Sequence, residues 1–183
     1  MVISTESPLS ISLRKATPED AEAVAKLGAA VFATTYGHAV PPRHIQSYIE
    51  ETYSVRAVTK DISNPQKDVF LATLDNGAVV GFSVLTRGSS SLEPCVSHLP
   101  DTAELQRLYI DTAFHRKGVG RRLASWVESE ARAQGFRHLW LSVWEGNTTA
   151  RKIYERFGYR KVGYCGFDVG GGIQRDRVML KEL

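Results

Sequence analysis

Leu108-Tyr109-Ile110-Asp111-Thr112-Ala113-Phe114-His115-Arg116-Lys117-Gly118-Val119-Gly120-Arg121-Arg122-Leu123 is the stretch on which the reading of this chain turns. It starts as the end of a strand, with aromatic and β-branched residues followed by Asp. It finishes as the opening of a helix. Between the two lies a short basic turn containing Gly118 and Gly120. A strand–turn–helix of this kind is an anion site. Glycine lets the backbone approach a ligand, the first helical N–H groups have no intrahelical partner, and the helix dipole adds partial positive charge. Arg116, Lys117, Arg121 and Arg122 add full charges.

Downstream of the turn, Val119, Leu123, Trp126, Val127 and Ala131 share one helical face, and Gln134-Gly135 ends the helix. His138 to Trp144 reads as a strand of large apolar residues. Asn147 or Thr148 caps a helix in which Ala150, Ile153, Tyr154 and Phe157 share a face, and Gly158 stops it. Tyr159 to Phe167 and Ile173 to Leu180 are two last strands joined by Gly170-Gly171-Gly172.

Upstream, Ala103 to Ile110 is a strand and Gly88 to Pro100 a loop. Asn76-Gly77 signals a hairpin between Val69–Leu74 and Ala78–Thr86, with Gly81 marking a bulge or a close backbone approach. Leu9 to Lys15 alternates as a half-buried strand. Thr17 and Pro18 open a helix to about Thr35, Pro41-Pro42 a second, and Ser54 a third toward Ile62. The order is strand, helices, three strands, helix, strand, helix, two strands. That is an α/β domain around one mixed sheet of about six to seven strands flanked by helices.

The 183 residues, 43% of them hydrophobic, suit one domain with a substantial core. Residues 9–183 are expected to form it, after a flexible N-terminus over 1–8. A net charge of +3 does not suggest nucleic acid, and the basic residues have a local use in the turn. Cys95 and Cys165 have no metal-ligating partners nearby, which predicts a reduced, cytoplasmic protein with neither disulfide framework nor metal. Met1 to Ser10 lacks the basic and apolar regions of a secretory signal, and no apolar run is long enough to span a membrane. The turn has no Gly-Lys-Ser/Thr ending and no full Gly-x-Gly-x-x-Gly, so it is neither a P-loop nor a dinucleotide fingerprint.

Two segments together resemble the GNAT superfamily of acyl-CoA-dependent N-acetyltransferases. His115-Arg116-Lys117-Gly118-Val119-Gly120 is similar to that family's Gln/Arg-x-x-Gly-x-Gly/Ala signature, directly after a Leu-Tyr-Ile strand end. Asn147-Thr148-Thr149-Ala150-Arg151-Lys152-Ile153-Tyr154-Glu155-Arg156-Phe157-Gly158-Tyr159 is similar to its Asn-x-x-Ala-x-x-x-Tyr-x-x-x-Gly-Phe/Tyr pattern. His115 departs from the signature. The resemblance implies acetyl-CoA as cosubstrate. Its pyrophosphate would sit on the N–H groups of 116 to 121, with His115, Arg116, Lys117, Gly118, Val119, Gly120 and Arg121 forming the turn. Its pantetheine arm would lie along Leu108, Tyr109 and Ile110, with Asn147 beside it.

By the same resemblance Tyr154 is the general acid for the thiolate; by spacing alone it equally describes a core aromatic. Asn147 is equally an ordinary N-cap. Glu104 is the first candidate for general base, against a solvated strand-end charge. Lys152 or Arg156 can reach a 3′-phosphate, and His38, His44 and His98 are surface histidines or line an acceptor pocket. The family builds that pocket from first helices and last strands, here rich in aromatics: Phe32, Tyr36, Tyr48, Tyr53, Tyr164 and Phe167. Phe32 to Tyr36, the helix near Tyr48 and Gln174 to Met179 are similar to bacterial spermidine/spermine acetyltransferases. The expectation is acetyl transfer to a polyamine or other small primary amine in a ternary complex. The alternatives are a protein or peptide amine as acceptor, or a non-catalytic acyl-CoA sensor. A monomer or homodimer without nucleic-acid or membrane partners is expected.

Overall fold

A computed structural model describes residues 10–183; Leu9 and the N-terminal 1–8 segment lie outside them. Seven strands form one sheet: β1 (Ile11–Lys15), β2 (Lys67–Leu74), β3 (Val79–Arg87), β4 (Thr102–Ile110), β5 (His138–Trp144), β6 (Arg160–Val169) and β7 (Gly172–Glu182), in the order β1-β2-β3-β4-β5-β7-β6. Five α-helices flank it: α1 (Ala21–Tyr36), α2 (Pro42–Thr52), α3 (Val55–Ile62), α4 (Val119–Ala133) and α5 (Thr148–Arg156). β1 to β4 are an antiparallel meander; β4 and β5 are parallel, with α4 in the crossover; β7 pairs antiparallel with β5 and β6.

The local chemistry explains the elements. At the β2–β3 turn Gly77 takes φ +83°, its N–H bonds Leu74 O at 2.9 Å, and Asn76 Oδ1 accepts from Ala78 N–H at 3.1 Å. β2 is sandwiched, so Phe70, Leu71 and Ala72 are all fully buried. Phe32, Leu71, Phe82 and Val84 pack on the face covered by α1. Phe70, Leu85, Leu105, Leu123, Val127 and Leu141 pack on the opposite face, under α4.

Two irregularities shape the centre. Gly81 stands opposite Ala72 beside a register shift. A Cβ there would come within 2.8 Å of Ile110 Cδ1 and 3.1 Å of Tyr109 O, so both the bulge and the close approach are present. In β4, Leu105 faces Leu85 and Arg107 faces Val84, which leaves Gln106 as an extra residue. Ala103 and Leu105 before it, and Leu108 and Ile110 after it, therefore all pack on the α4 side. Glu104, Arg107 and Tyr109 fall on the α1 side.

β4 and β5 pair at only three rungs, Thr102–His138, Ala103–Leu139 and Glu104–Trp140. Beyond Glu104 the strands part. The rest of β4 is held only by β3, and the rest of β5 only by β7. A wedge opens in the middle of the sheet, lined by unpaired backbone.

Candidate active site

The wedge widens into a cavity of about 770 Å³ reaching both faces of the sheet. One end is the basic turn. Asp111 Oδ1 accepts from Ala113 N–H at 2.9 Å, which starts a single 3-10 turn over Thr112–Phe114. His115 Nε2 donates to Ile110 O at 3.1 Å and ties the turn back to β4. Arg116 and Gly118 then take left-handed φ values of +62° and +80°. The N–H groups of 116 to 121 find no acceptor among the described residues; that of Arg122 is the next to close a turn, on Gly118 O at 3.1 Å. Six consecutive free amides at a helix start form a ready anion cradle.

Arg116, Gly118, Val119, Gly120 and Arg121 line the cavity. Lys117 does not; its ammonium lies over the Phe114 ring at 5.0 Å. Arg122 also stays outside the lining, and so does Lys152, whereas Arg156 on α5 joins it. Leu108, Tyr109 and Ile110 line it along the open edge of β4.

α5 forms a second wall. Asn147 caps it, Oδ1 accepting from Ala150 N–H at 3.0 Å, so its NH₂ remains available to the cavity. Tyr154 lines the cavity and meets Tyr159 edge-on at 5.8 Å between ring centroids. Burial pushes its hydroxyl well above the ordinary phenol value, and nearby Tyr109 adds to this. The group is a neutral proton donor at physiological pH.

The α1 side of the wedge carries buried carboxylates among aromatic rings. Glu104 is no solvated strand end: it is 8% exposed and sits on the last paired rung. Burial raises its pKa; the Ser89 hydroxyl, Arg107 and Lys67 oppose the rise. Those cations are bridged by Asp61, 2.9 Å from Arg107 and 2.7 Å from Lys67. The lining aromatics on this side are Tyr36, Tyr48, Tyr109, Trp144 and Phe167. Phe32 and Tyr53 belong instead to the core beneath, at 1% and 5% exposure. Tyr164 stacks under Arg175 at 3.8 Å, away from the cavity. None of His38, His44 or His98 lines it.

Trp144 and Asp176 line the cavity without having been legible as site residues in the sequence. Asp176 on β7 is 3% exposed, and its Oδ1 has no hydrogen-bond partner. Burial pushes its carboxyl up to about 6, against the opposing Ser142 hydroxyl. The available signal was a carboxylate in mid-strand, two and four residues before inward-facing Val178 and Leu180. The two thiols are free, and burial pushes Cys165 up to about 12, which disfavours its thiolate at neutral pH.

The Acetyltransferase (GNAT) family matches residues 34–159, and the chain belongs to this family. It is an acyl-CoA-dependent N-acetyltransferase. An uncharacterised N-acetyltransferase of Mycobacterium tuberculosis (strain ATCC 25618 / H37Rv) is 28% identical over 164 residues, 90% of this chain and 98% of that one. Spermidine N(1)-acetyltransferase of Thermoplasma acidophilum is 24% identical over 155 residues, 83% of this chain and 89% of that one. In fold, the chain is similar to the crystal structure of the PaiA N-acetyltransferase from Thermoplasma acidophilum in complex with coenzyme A. The TM-score is 0.74 at 24% identity, covering 96% of this chain and 100% of that one.

Proposed function

We propose that the chain acetylates a primary amine of a polyamine-like small molecule by direct attack on acetyl-CoA in a ternary complex. The observation that carries this is one cleft with two unlike ends. Free amides and arginines stand at one end, buried carboxylates among aromatic rings at the other, and an open strand edge runs between. The pyrophosphate takes the amides of 116 to 121. The pantetheine arm pairs with the β4 edge at Leu108–Ile110, next to the Asn147 amide. His115 works through the backbone by fixing the Ile110 carbonyl.

An alkylammonium, with a pKa of about 10.4, must lose a proton before it attacks. Glu104 receives that proton, directly or through water. The nitrogen lone pair forms the C–N bond, the C–S bond breaks, and an unpaired β4 N–H stabilises the carbonyl oxygen. Tyr154 gives its proton to the departing sulfur and regains, through water, the second proton that the nitrogen sheds as it becomes an amide; Glu104 returns the first to solvent. The polyamine reading is supported by the aromatic rings, which suit cations, and by the spermidine-acetylating relative.

The test is release of free coenzyme A with polyamines, aminoglycosides, amino acids and short peptides. Preference for polyamines supports the reading. Turnover confined to peptides, or none on the whole panel with acetyl-CoA bound, overturns it.

A further inference from the structure

Asp176 is the uncompensated charge of the cleft. No salt bridge reaches it among the described residues, and its Oδ1 is buried without a partner. Its strand neighbours are committed elsewhere: Arg175 and Arg177 each lie 3.7 Å from Glu145. Glu104, by contrast, has Arg107 and Lys67 in electrostatic reach. A buried carboxylate without a counter-charge is costly. Around Asp176 the cavity wall is aromatic. Tyr36 lies 5.4 Å from Trp144 and 6.0 Å from Phe167, and Tyr48 closes on Phe167 at 5.6 Å. A carboxylate among ring faces is the chemistry that holds an ammonium.

The sheet register separates the two acids. Glu104 stands opposite Trp140, and Asp176 opposite Trp144, on the other side of β5. Four residues of strand are roughly 13 Å, too far for both to serve one nitrogen. We infer that Asp176 holds a second, protonated nitrogen of the acceptor while the first is acetylated near Glu104. The acceptor class is then an aliphatic diamine or polyamine whose amines are spaced along a flexible chain. This rests on the amine-acetylation reading and deepens it.

The experiment compares matched pairs, 1,8-diaminooctane with octylamine and 1,10-diaminodecane with decylamine, with acetyl-CoA and the full chain. The wild type is expected to favour diamines in kcat/KM by roughly tenfold or more, as for one desolvated charge pair. In Asp176→Asn, and in Asp176→Ser as a smaller control, that preference collapses mainly through a higher diamine KM. Glu104→Gln instead lowers kcat for both classes and keeps the preference. A preference retained in both Asp176 variants overturns the inference. So does an equal fall in kcat for both classes with KM held, which would make Asp176 the base. Calorimetric binding of 1,8-diaminooctane to the coenzyme A complex, wild type against Asp176→Asn, keeps the two readings separate. Equal binding sinks the Asp176 anchor whether or not any amine is acetylated. Loss of binding in the variant supports the anchor even where the acetylation reading fails.

Discussion

At the scale of single residues, the cleft works through groups the fold leaves short of partners. Tyr154 keeps its proton because burial disfavours the phenolate. Tyr154→Phe is expected to lower kcat by about a hundredfold with little change in the KM for acetyl-CoA, checked by steady-state kinetics. Asp176 carries a cost visible without substrate. Its pKa rises from 3.8 to about 6 on folding, so the folded state binds its proton more tightly. The associated stability is fully present below pH 3.8 and lost as pH rises through about 6. The loss is about 3 kcal/mol. Asp176→Asn, with no charge to bury, should therefore be more stable than the parent at pH 8 and equal to it near pH 4. Urea unfolding at both pH values decides this; a gain at pH 4 as large as at pH 8 would rule out charge burial as its origin. Such a residue is hard to see in a sequence, because burial belongs to the assembled sheet. The same holds for Phe32 and Tyr36. They lie on one helical face with ring centroids 4.6 Å apart, yet only Tyr36 reaches the cavity. Spacing gives the face of a helix but not the depth of each ring.

At the scale of elements, periodicity and caps carried most of the reading. The strand over His138–Trp144, the Asn147 cap and the Asn76-Gly77 hairpin all depend on neighbours in the chain, and all lie where local chemistry put them. The bulge at Gln106 and the parting of β4 from β5 do not; they arise from pairing between segments distant in the chain, Leu85 with Leu105 and Thr102 with His138. Gly81 joins the two levels. It was legible as an irregular glycine, and its reason is the crowding of Ile110, Tyr109 O and Leu123 where a Cβ would stand. Gly81→Ala should cost roughly 1–3 kcal/mol by overpacking. It should also raise the KM for acetyl-CoA, because the Ile110 side chain must turn and the Tyr109 carbonyl must yield slightly on the edge of β4 that lines the cavity. A denaturation midpoint and a KM measured on the same variant test both halves.

At the scale of the whole molecule, two half-sheets meet at three rungs, β1 to β4 on one side and β5 to β7 on the other. On the proposed placement, a cosubstrate in the wedge touches both halves and binds only when they are correctly placed. Coenzyme A at a hundred times its Kd is expected to stabilise the fold by about 2.7 kcal/mol. For a domain of this size that is a rise in Tm of roughly 5–10 °C, read by thermal melting. A matching rise with ATP or NAD in place of coenzyme A would count against the assignment of the turn.

The extra residue in β4 has a genetic corollary. Deleting Gln106 would set Arg107 directly after Leu105, still opposite Val84, so the strand would lose its bulge and every later side chain would keep its face. Adding one residue after Arg107 would do the reverse. Tyr109 would be driven into the layer beneath α4, and Leu108 and Ile110 would surface on the α1 side of the cleft. The gain of one codon there would act on this strand as a frameshift acts on a message: each following residue intact, and each read on the wrong side.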